Sequence, residues 1–388
     1  MHKVSLPLGM RDEFGMQAYK KHQLEKMLEQ LLQQHDFMRI DTPLLEYQEV
    51  FADFDLKQRR AYHLVDNNEA VVLRPPDLTL PPIARFLATN NFDLPRKFYY
   101  VGERFKIAKS LSGKYNQMTQ AGIEIVGYTS LKAELECFFL INCLSRKFLQ
   151  GGRVRIELGG DACFADAVLD SLTKDAALKA AIKKQLYQKN IPQYQKMIAP
   201  FVTGKQGQFL QKWPRLFGDE ATVLQQVSQF ALPAAAQLII NKLERVAHWL
   251  KQLPEQPVSL DLSAAPPQTY YTGITFKGFS DDISDYLFSG GRYDHLLESF
   301  QKKAEPAVGM GIDLELLTKV ADFDIPKPKA DLLFFEPEQL SEVVQICQQH
   351  PNLTLCLERD LQSAQQTAAT KHVKLFRIDK EGKISDAT

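Results

Sequence analysis

The 388-residue chain lacks a surplus of charge of either sign, since 47 Lys and Arg face 47 Asp and Glu. It therefore carries no overall basic footprint of the kind a phosphate backbone selects, which disfavours nucleic acid as the main partner. Its five cysteines, Cys137, Cys143, Cys163, Cys347 and Cys356, include no CxxC pair and no His at metal-ligand spacing. That pattern argues against structural zinc and fits reduced, buried thiols in a cytoplasm. No stretch approaches the roughly 18 apolar residues of a membrane helix, and MHKVSLPLGMRDEFG lacks the apolar h-region of a signal peptide. A soluble, cytoplasmic protein without a membrane partner is expected. There is no G-x-x-x-x-G-K-[ST] phosphate loop and no internal repeat, and the eight histidines are scattered without metal or triad spacing. Neither a metal nor a cofactor is expected.

What is there is length and periodicity. A chain of this size suggests two or three units. From Gly15 to His35 the apolar residues Leu24, Met27, Leu28, Leu31 and Leu32 recur at the spacing of an amphipathic helix, which feeds the short extended run FMRIDTPLLE. Between Lys97 and Tyr128 two strand-like runs, KFYYVGERFKIA and YNQMTQAGIEIVGY, flank a polar turn and predict an antiparallel hairpin. Residues 166–250 turn helical and are broken by Pro192, Pro200, Pro214 and Pro233. Strand-like segments then return, with Gly290 and Gly291 expected to form a turn that uses positive φ. IPKPKA, from Ile325 to Ala330, has the composition of a linker. Beyond it, strand–helix–strand–helix–strand spacing predicts a small α/β unit over 331–388.

This order resembles the class II aminoacyl-tRNA synthetases and, among them, the histidyl enzyme. Motif 1 is matched by the long helix and the strand ending at Pro43, motif 2 by FYYVGERFKIAKSLSGKYNQMTQAGIEIVG, and motif 3 by GGRYDHLLES with PAVGMGIDLELL. The histidyl signature around a double tyrosine is echoed by TYYTGITF. The resemblance implies an α+β fold: a class II synthetase-like antiparallel sheet flanked by helices over 1–325, with a helical insertion at about 166–250. The small C-terminal unit, 331–388, resembles a truncated anticodon-binding domain.

Adenylation requires planar guanidinium groups that grip phosphate oxygens. By resemblance, the motif 2 arginine falls on Lys106, the glutamate near the adenine amine on Ala108, the motif 3 arginine on Leu316, and the histidyl-specific arginine on Pro266. The amino-acid half of the pocket is retained. Gln120 and Glu124 are four apart and share one face of a strand, while Ala121, Ile123 and Ile125 point the other way. Alone, such a pair equally describes a solvated strand face, and the motif context decides. By the same resemblance Asp77 and Thr79 bind the α-amino group, Tyr270 and Tyr271 form an aromatic wall, and Tyr115 is the motif 2 loop tyrosine.

A chain with an eroded ATP half and an intact histidine half is similar to the regulatory subunits of ATP phosphoribosyltransferase. That resemblance implies a non-catalytic, histidine-sensing subunit for the first step of histidine biosynthesis and its feedback control. Its implied partners are the short-form catalytic subunit, in a hetero-oligomer, and a second copy of itself through motif 1. An active histidyl-tRNA synthetase-like ligase would need Lys106 and Arg104 to stand in for three arginines. An RNA-sensing pseudo-synthetase is disfavoured by balanced charge and the short C-terminal unit.

Overall fold

In a computed structural model of the chain, the described residues are 4–52, 61–66, 69–73, 80–90, 92–108, 114–149, 151, 153–254, 256–300, 303–323, 325, 330–379 and 382–388. They divide into two compact units, Met1–Phe323 and Asp324–Thr388.

The first unit opens with helix α1 (Gly15–Gln34), whose stripe Leu24, Leu28 and Leu32 is fully buried. Burying each leucine contributes about 2 kcal/mol, so this face rather than helix propensity holds α1 in place. It ends where Asp36 takes a left-handed φ of 61°. The chain continues through β1 (Met38–Arg39), β2 (Leu45–Tyr47), β3 (His63–Asp66), β4 (Glu69–Leu73) and helix α2 (Leu80–Thr89). Strands β2, β4 and β3 form a small sheet. Arg85 on α2 forks onto Glu46 of β2, with Nε and Nη2 donating at 2.9 and 2.7 Å.

The hairpin follows as β5 (Arg96–Phe105) and β6 (Gln117–Val126), paired from Arg96 opposite Val126 to Phe105 opposite Gln117. Helix α3 (Lys132–Phe148) leads to β7 (Arg155–Asp161). A helical stretch comes next: α4 (Phe164–Leu169), α5 (Ala176–Tyr187), α6 (Ile191–Ile198), α7 (Gly204–Lys212), α8 (Glu220–Val227) and α9 (Ala234–Leu250). It is interrupted by one short strand, β8 (Phe217–Asp219). The unit closes with β9 (Val258–Asp261), β10 (Ile274–Phe279), β11 (Tyr286–Arg292), β12 (Ala307–Asp313) and helix α10 (Leu314–Val320).

Nine strands make the main sheet in the order β1-β5-β6-β12-β11-β10-β7-β9-β8. Its centre is antiparallel, but β1 runs parallel to β5 and β7 parallel to β9, so the sheet is mixed. One face packs on α1, α3 and the helical stretch through Leu28, Tyr99, Ile123, Phe138 and Phe276. Period-2 alternation sends the intervening residues of β6, β11 and β12 to the opposite face, which forms the cleft described below.

Two expectations need correction. Gly290 and Gly291 lie inside β11, not in a turn, and neither has positive φ. They are required by close approach: a Cβ at Gly290 would strike the Gly309 carbonyl and the Phe276 ring, and one at Gly291 would lie 2.8 Å from the Tyr271 ring. The thiols also differ from one another, since Cys137 and Cys356 are buried, Cys143 and Cys347 half-buried and Cys163 exposed.

The second unit is β13 (Asp331–Phe334), α11 (Leu340–Gln349), β14 (Leu353–Leu355), α12 (Leu361–Lys371), β15 (Leu375–Ile378) and β16 (Ile384–Asp386), with sheet order β14-β13-β15-β16. Alternation on β13 explains its layering. Leu332 and Phe334 pack with Ala364 and Ala368 of α12, while Leu333 packs with Val343 and Ile346 of α11. Strand β16, which pairs antiparallel with β15, is an element beyond the expected pattern.

Candidate functional site

A cleft of about 610 Å³ opens on the opposite face of the main sheet, beside a second core where α2 packs on Phe98, Tyr100 and Val126, a volume suited to a small molecule. Its floor is built from β6, β12 and β11, in register so that Glu124 lies opposite Gly309 and Gln120 opposite Asp313. The glycines create the room. A Cβ at Gly309 would clash with the Glu124 carboxylate, and one at Gly122 with the Tyr100 hydroxyl. The segment PAVGMGID therefore lets large polar side chains of the neighbouring strand lie flat across its backbone.

At one end stands Glu124, only 4% exposed, whose carboxylate accepts a short hydrogen bond from the Tyr293 hydroxyl. Tyr270 meets Tyr271 at 4.8 Å between ring centroids and Tyr293 edge-on at 5.7 Å, so the carboxyl is shut into an aromatic corner. Burial pushes Glu124 up to about 8, and the Tyr293 hydroxyl pulls only partly the other way. Burial likewise pushes the Tyr293 phenol well above its ordinary value. At neutral pH this corner holds a protonated carboxyl, and a cationic guest beside it favours the carboxylate, with the proton released to solvent.

Gln120, 7% exposed, sits between the two ends. Its Nε2 donates to the Tyr100 hydroxyl at 3.1 Å, while its Oε1 is buried with no hydrogen-bond partner among the described residues. An unsatisfied buried acceptor facing a cleft invites a donor such as an ammonium group. The low exposure of Gln120 and Glu124 rules out the solvated-face alternative. Leu80, the first residue of α2, also lines the cleft. Asp77 and Thr79, just before it, lie outside the described residues.

The opposite end is basic but internally paired. Arg104 Nη2 donates to Asp313 Oδ2 at 2.7 Å, and Asp313 Oδ1 accepts the Leu316 N–H at 3.0 Å to cap α10. At the mouth Lys114 pairs with Asp285 at 2.9 Å. Lys106 and Ala108 line this end, just past the last residue of β5. Tyr115 lines it too, and the Arg11 guanidinium stacks over its ring at 4.1 Å. Leu316 and Pro266 are not among the lining residues: Leu316 packs half-buried against the main core, and Pro266 precedes the lining residues Pro267 and Gln268.

The fold thus brings Gln120, Glu124, Tyr270 and Tyr271 together with Lys106 and Ala108. Sequence reasoning missed Tyr293 and Asp313. Tyr293 was legible in principle, because it lies two residues beyond Gly291 in GGRYD. Asp313 carried no local signal, since its partner Arg104 is 209 residues away.

The family model of histidyl-tRNA synthetase matches residues 9–317. A protein of Lactiplantibacillus plantarum named ATP phosphoribosyltransferase regulatory subunit is 43% identical over 379 residues, covering 97% of this chain and 98% of its own length. One of the same name from Limosilactobacillus fermentum is 41% identical over 390 residues, covering all of both chains. Among solved structures, an ATP phosphoribosyltransferase regulatory subunit/histidyl-tRNA synthetase from Bacillus halodurans superposes with a TM-score of 0.78 at 22% identity over 94% of this chain and 96% of that one. A histidyl-tRNA synthetase from a Nostoc species gives 0.71 at 20% identity over 99% and 96%, which establishes the shared fold.

Proposed function

The chain belongs to the family of ATP phosphoribosyltransferase regulatory subunits, built on the histidyl-tRNA synthetase fold, and from that premise we propose that it is a non-catalytic subunit whose cleft senses histidine. The partner is the short-form catalytic subunit, the assembly is a hetero-oligomer in the cytoplasm, and histidine bound to this chain lowers the activity of the complex.

The observation that carries the proposal is the asymmetry of the cleft. Glu124, Gln120 and three tyrosines at one end offer acceptors and ring faces to an imidazole and an ammonium, and Asp77 and Thr79 are assigned to the same ammonium. At the other end, Lys106 and Ala108 stand where adenylation needs a guanidinium fork and an acceptor. A lysine keeps the charge but grips one oxygen where arginine grips two. Leu316 and Pro266, assigned to two further lost arginines, add no charge.

Self-association through the motif 1 region has its own support. Edge strand β1 and the chain just after it expose Met38, Leu44, Leu45 and Tyr47, apolar side chains that a second copy would cover. The small C-terminal unit is read as a shortened anticodon-binding domain.

Two assays test the proposal. The isolated chain is expected to give no histidine-dependent exchange of pyrophosphate into ATP, and restoring Arg at position 106 alone is expected not to rescue it, because groups that act together are strongly non-additive. Mixed with a short-form catalytic subunit, it is expected to confer histidine inhibition, and the Glu124→Ala variant to lose that inhibition. Exchange activity in the isolated chain, or equal inhibition through wild type and Glu124→Ala, would refute it.

A further inference from the structure

Glu124 and Asp313 lie opposite Gly309 and Gln120 in the β6–β12 ladder, four residues apart along the strands. At roughly 3.3 Å per residue the two ends of the cleft are about 13 Å apart, longer than a free amino acid. The Gln120 amide leans over Gly311, between the two ends, so a ligand held by it and Glu124 leaves the Arg104 end unfilled. That end is lined by Arg104, Lys106, Lys114 and Lys277, with the rings of Tyr115 and Tyr286 beside them. Cations interleaved with aromatic rings attract nucleotides and other polyphosphates, which any protein working beside an ATP-consuming partner meets constantly.

Asp313 opposes this. Its carboxylate is one strand-pair step from Gln120, its side chain is 12% exposed, and it engages the Arg104 guanidinium, itself 11% exposed, at 2.7 Å. Arg104 is the one cation of the four that offers a rigid fork. Its reach across β6 to β12 holds that fork against the floor, and a negative charge lies beside it. The second carboxylate of this end, Asp285, pairs with Lys114 at the mouth, where Lys114 is 67% exposed and the pair is correspondingly weak. Among the described residues, Asp313 is the carboxylate that meets Arg104 on the inner floor.

We propose that Asp313 is a specificity-determining residue of this cleft: paired with Arg104, it excludes polyphosphate anions from the basic end while leaving the Glu124 end open to a zwitterionic amino acid. The proposal rests on the reading of the cleft as an amino-acid site but concerns its other end. Two unit charges about 4 Å apart near a protein surface interact strongly enough that removing the carboxylate is expected to raise anion affinity at least tenfold.

The test is calorimetric titration of the full chain with inorganic tripolyphosphate, with ATP and, separately, with histidine. Asp313→Asn keeps an oxygen for the Leu316 N–H and removes the charge. It is expected to bind tripolyphosphate at least tenfold more tightly than wild type, and adding Arg104→Met is expected to abolish the gain. Asp313→Ser, which also offers a cap oxygen, serves if the asparagine variant does not fold. A folded variant that binds tripolyphosphate no better than wild type overturns the proposal, as does wild-type binding of tripolyphosphate at sub-millimolar concentration in competition with histidine. A polyphosphate gain without any histidine binding supports the role of Asp313 and refutes instead the assignment of histidine to the cleft.

Discussion

Burial of Glu124 ties ligand chemistry to stability, and the link can be measured. The carboxyl ionises at about 4.5 in an unfolded chain and is pushed up to about 8 in the folded one. The folded state therefore holds the proton more tightly, and the sign follows: this group costs nothing below its unfolded value, destabilises progressively as pH rises from about 4.5 to about 8, and contributes a constant penalty above that. At about 1.4 kcal/mol per pH unit, the loss between pH 5 and pH 7 comes to about 2–3 kcal/mol. Glu124→Gln keeps the shape and cannot ionise, so it is expected to lack this slope. Urea denaturation at pH 5, 6 and 7 would show it, because other titrating groups cancel in the difference between the two proteins. The chain has two tryptophans, and both Trp213 and Trp249 lie in the first unit, so their fluorescence reports that unit alone. Parallel pH profiles for wild type and Glu124→Gln would refute the account of a desolvated, protonated carboxyl.

Further outcomes follow from the same geometry. A cationic group beside Glu124 favours its ionised form, so histidine binding at pH 7 is expected to release up to about one proton; calorimetry in two buffers of different ionisation heat would read the release, and none would refute the contact. Tyr293→Phe removes the hydroxyl that donates to Glu124 and is expected to weaken histidine binding roughly tenfold, measured by the same titration. Arg292 forks onto the fully buried Glu134, with both bonds at 2.7 Å, so Glu134→Ala leaves the guanidinium with only the longer Asp294 contact at 3.4 Å and two backbone carbonyls and is expected to cost about 3 kcal/mol in denaturant unfolding. Removing residues 326–388 is expected to leave a folded, dimerising first unit by circular dichroism and sedimentation; an insoluble or molten product would place the boundary elsewhere.

What the sequence determined by itself was everything whose physics is local or periodic. The stripe Leu24, Leu28, Leu32 defines α1, and alternation in TQAGIEIVG puts Gln120 and Glu124 on one face of β6 with Ala121, Ile123 and Ile125 on the other. Motif order then placed Lys106, Ala108, Tyr270 and Tyr271 around that strand. Tertiary structure alone decided whether the polar face was wet or dry, because burial depends on what the neighbouring strand presents: Gly309 admits the Glu124 carboxylate, and Tyr293 and the paired Tyr270 and Tyr271 close over it. It also reversed the reading of Gly290 and Gly291, since a glycine kept for positive φ and one kept for close packing look identical in one dimension. The Arg104–Asp313 pair was invisible for the same reason. Two residues 209 apart along the chain meet because the sheet order sets β5 and β12 on either side of β6, about 10 Å apart, a span that an arginine side chain crosses.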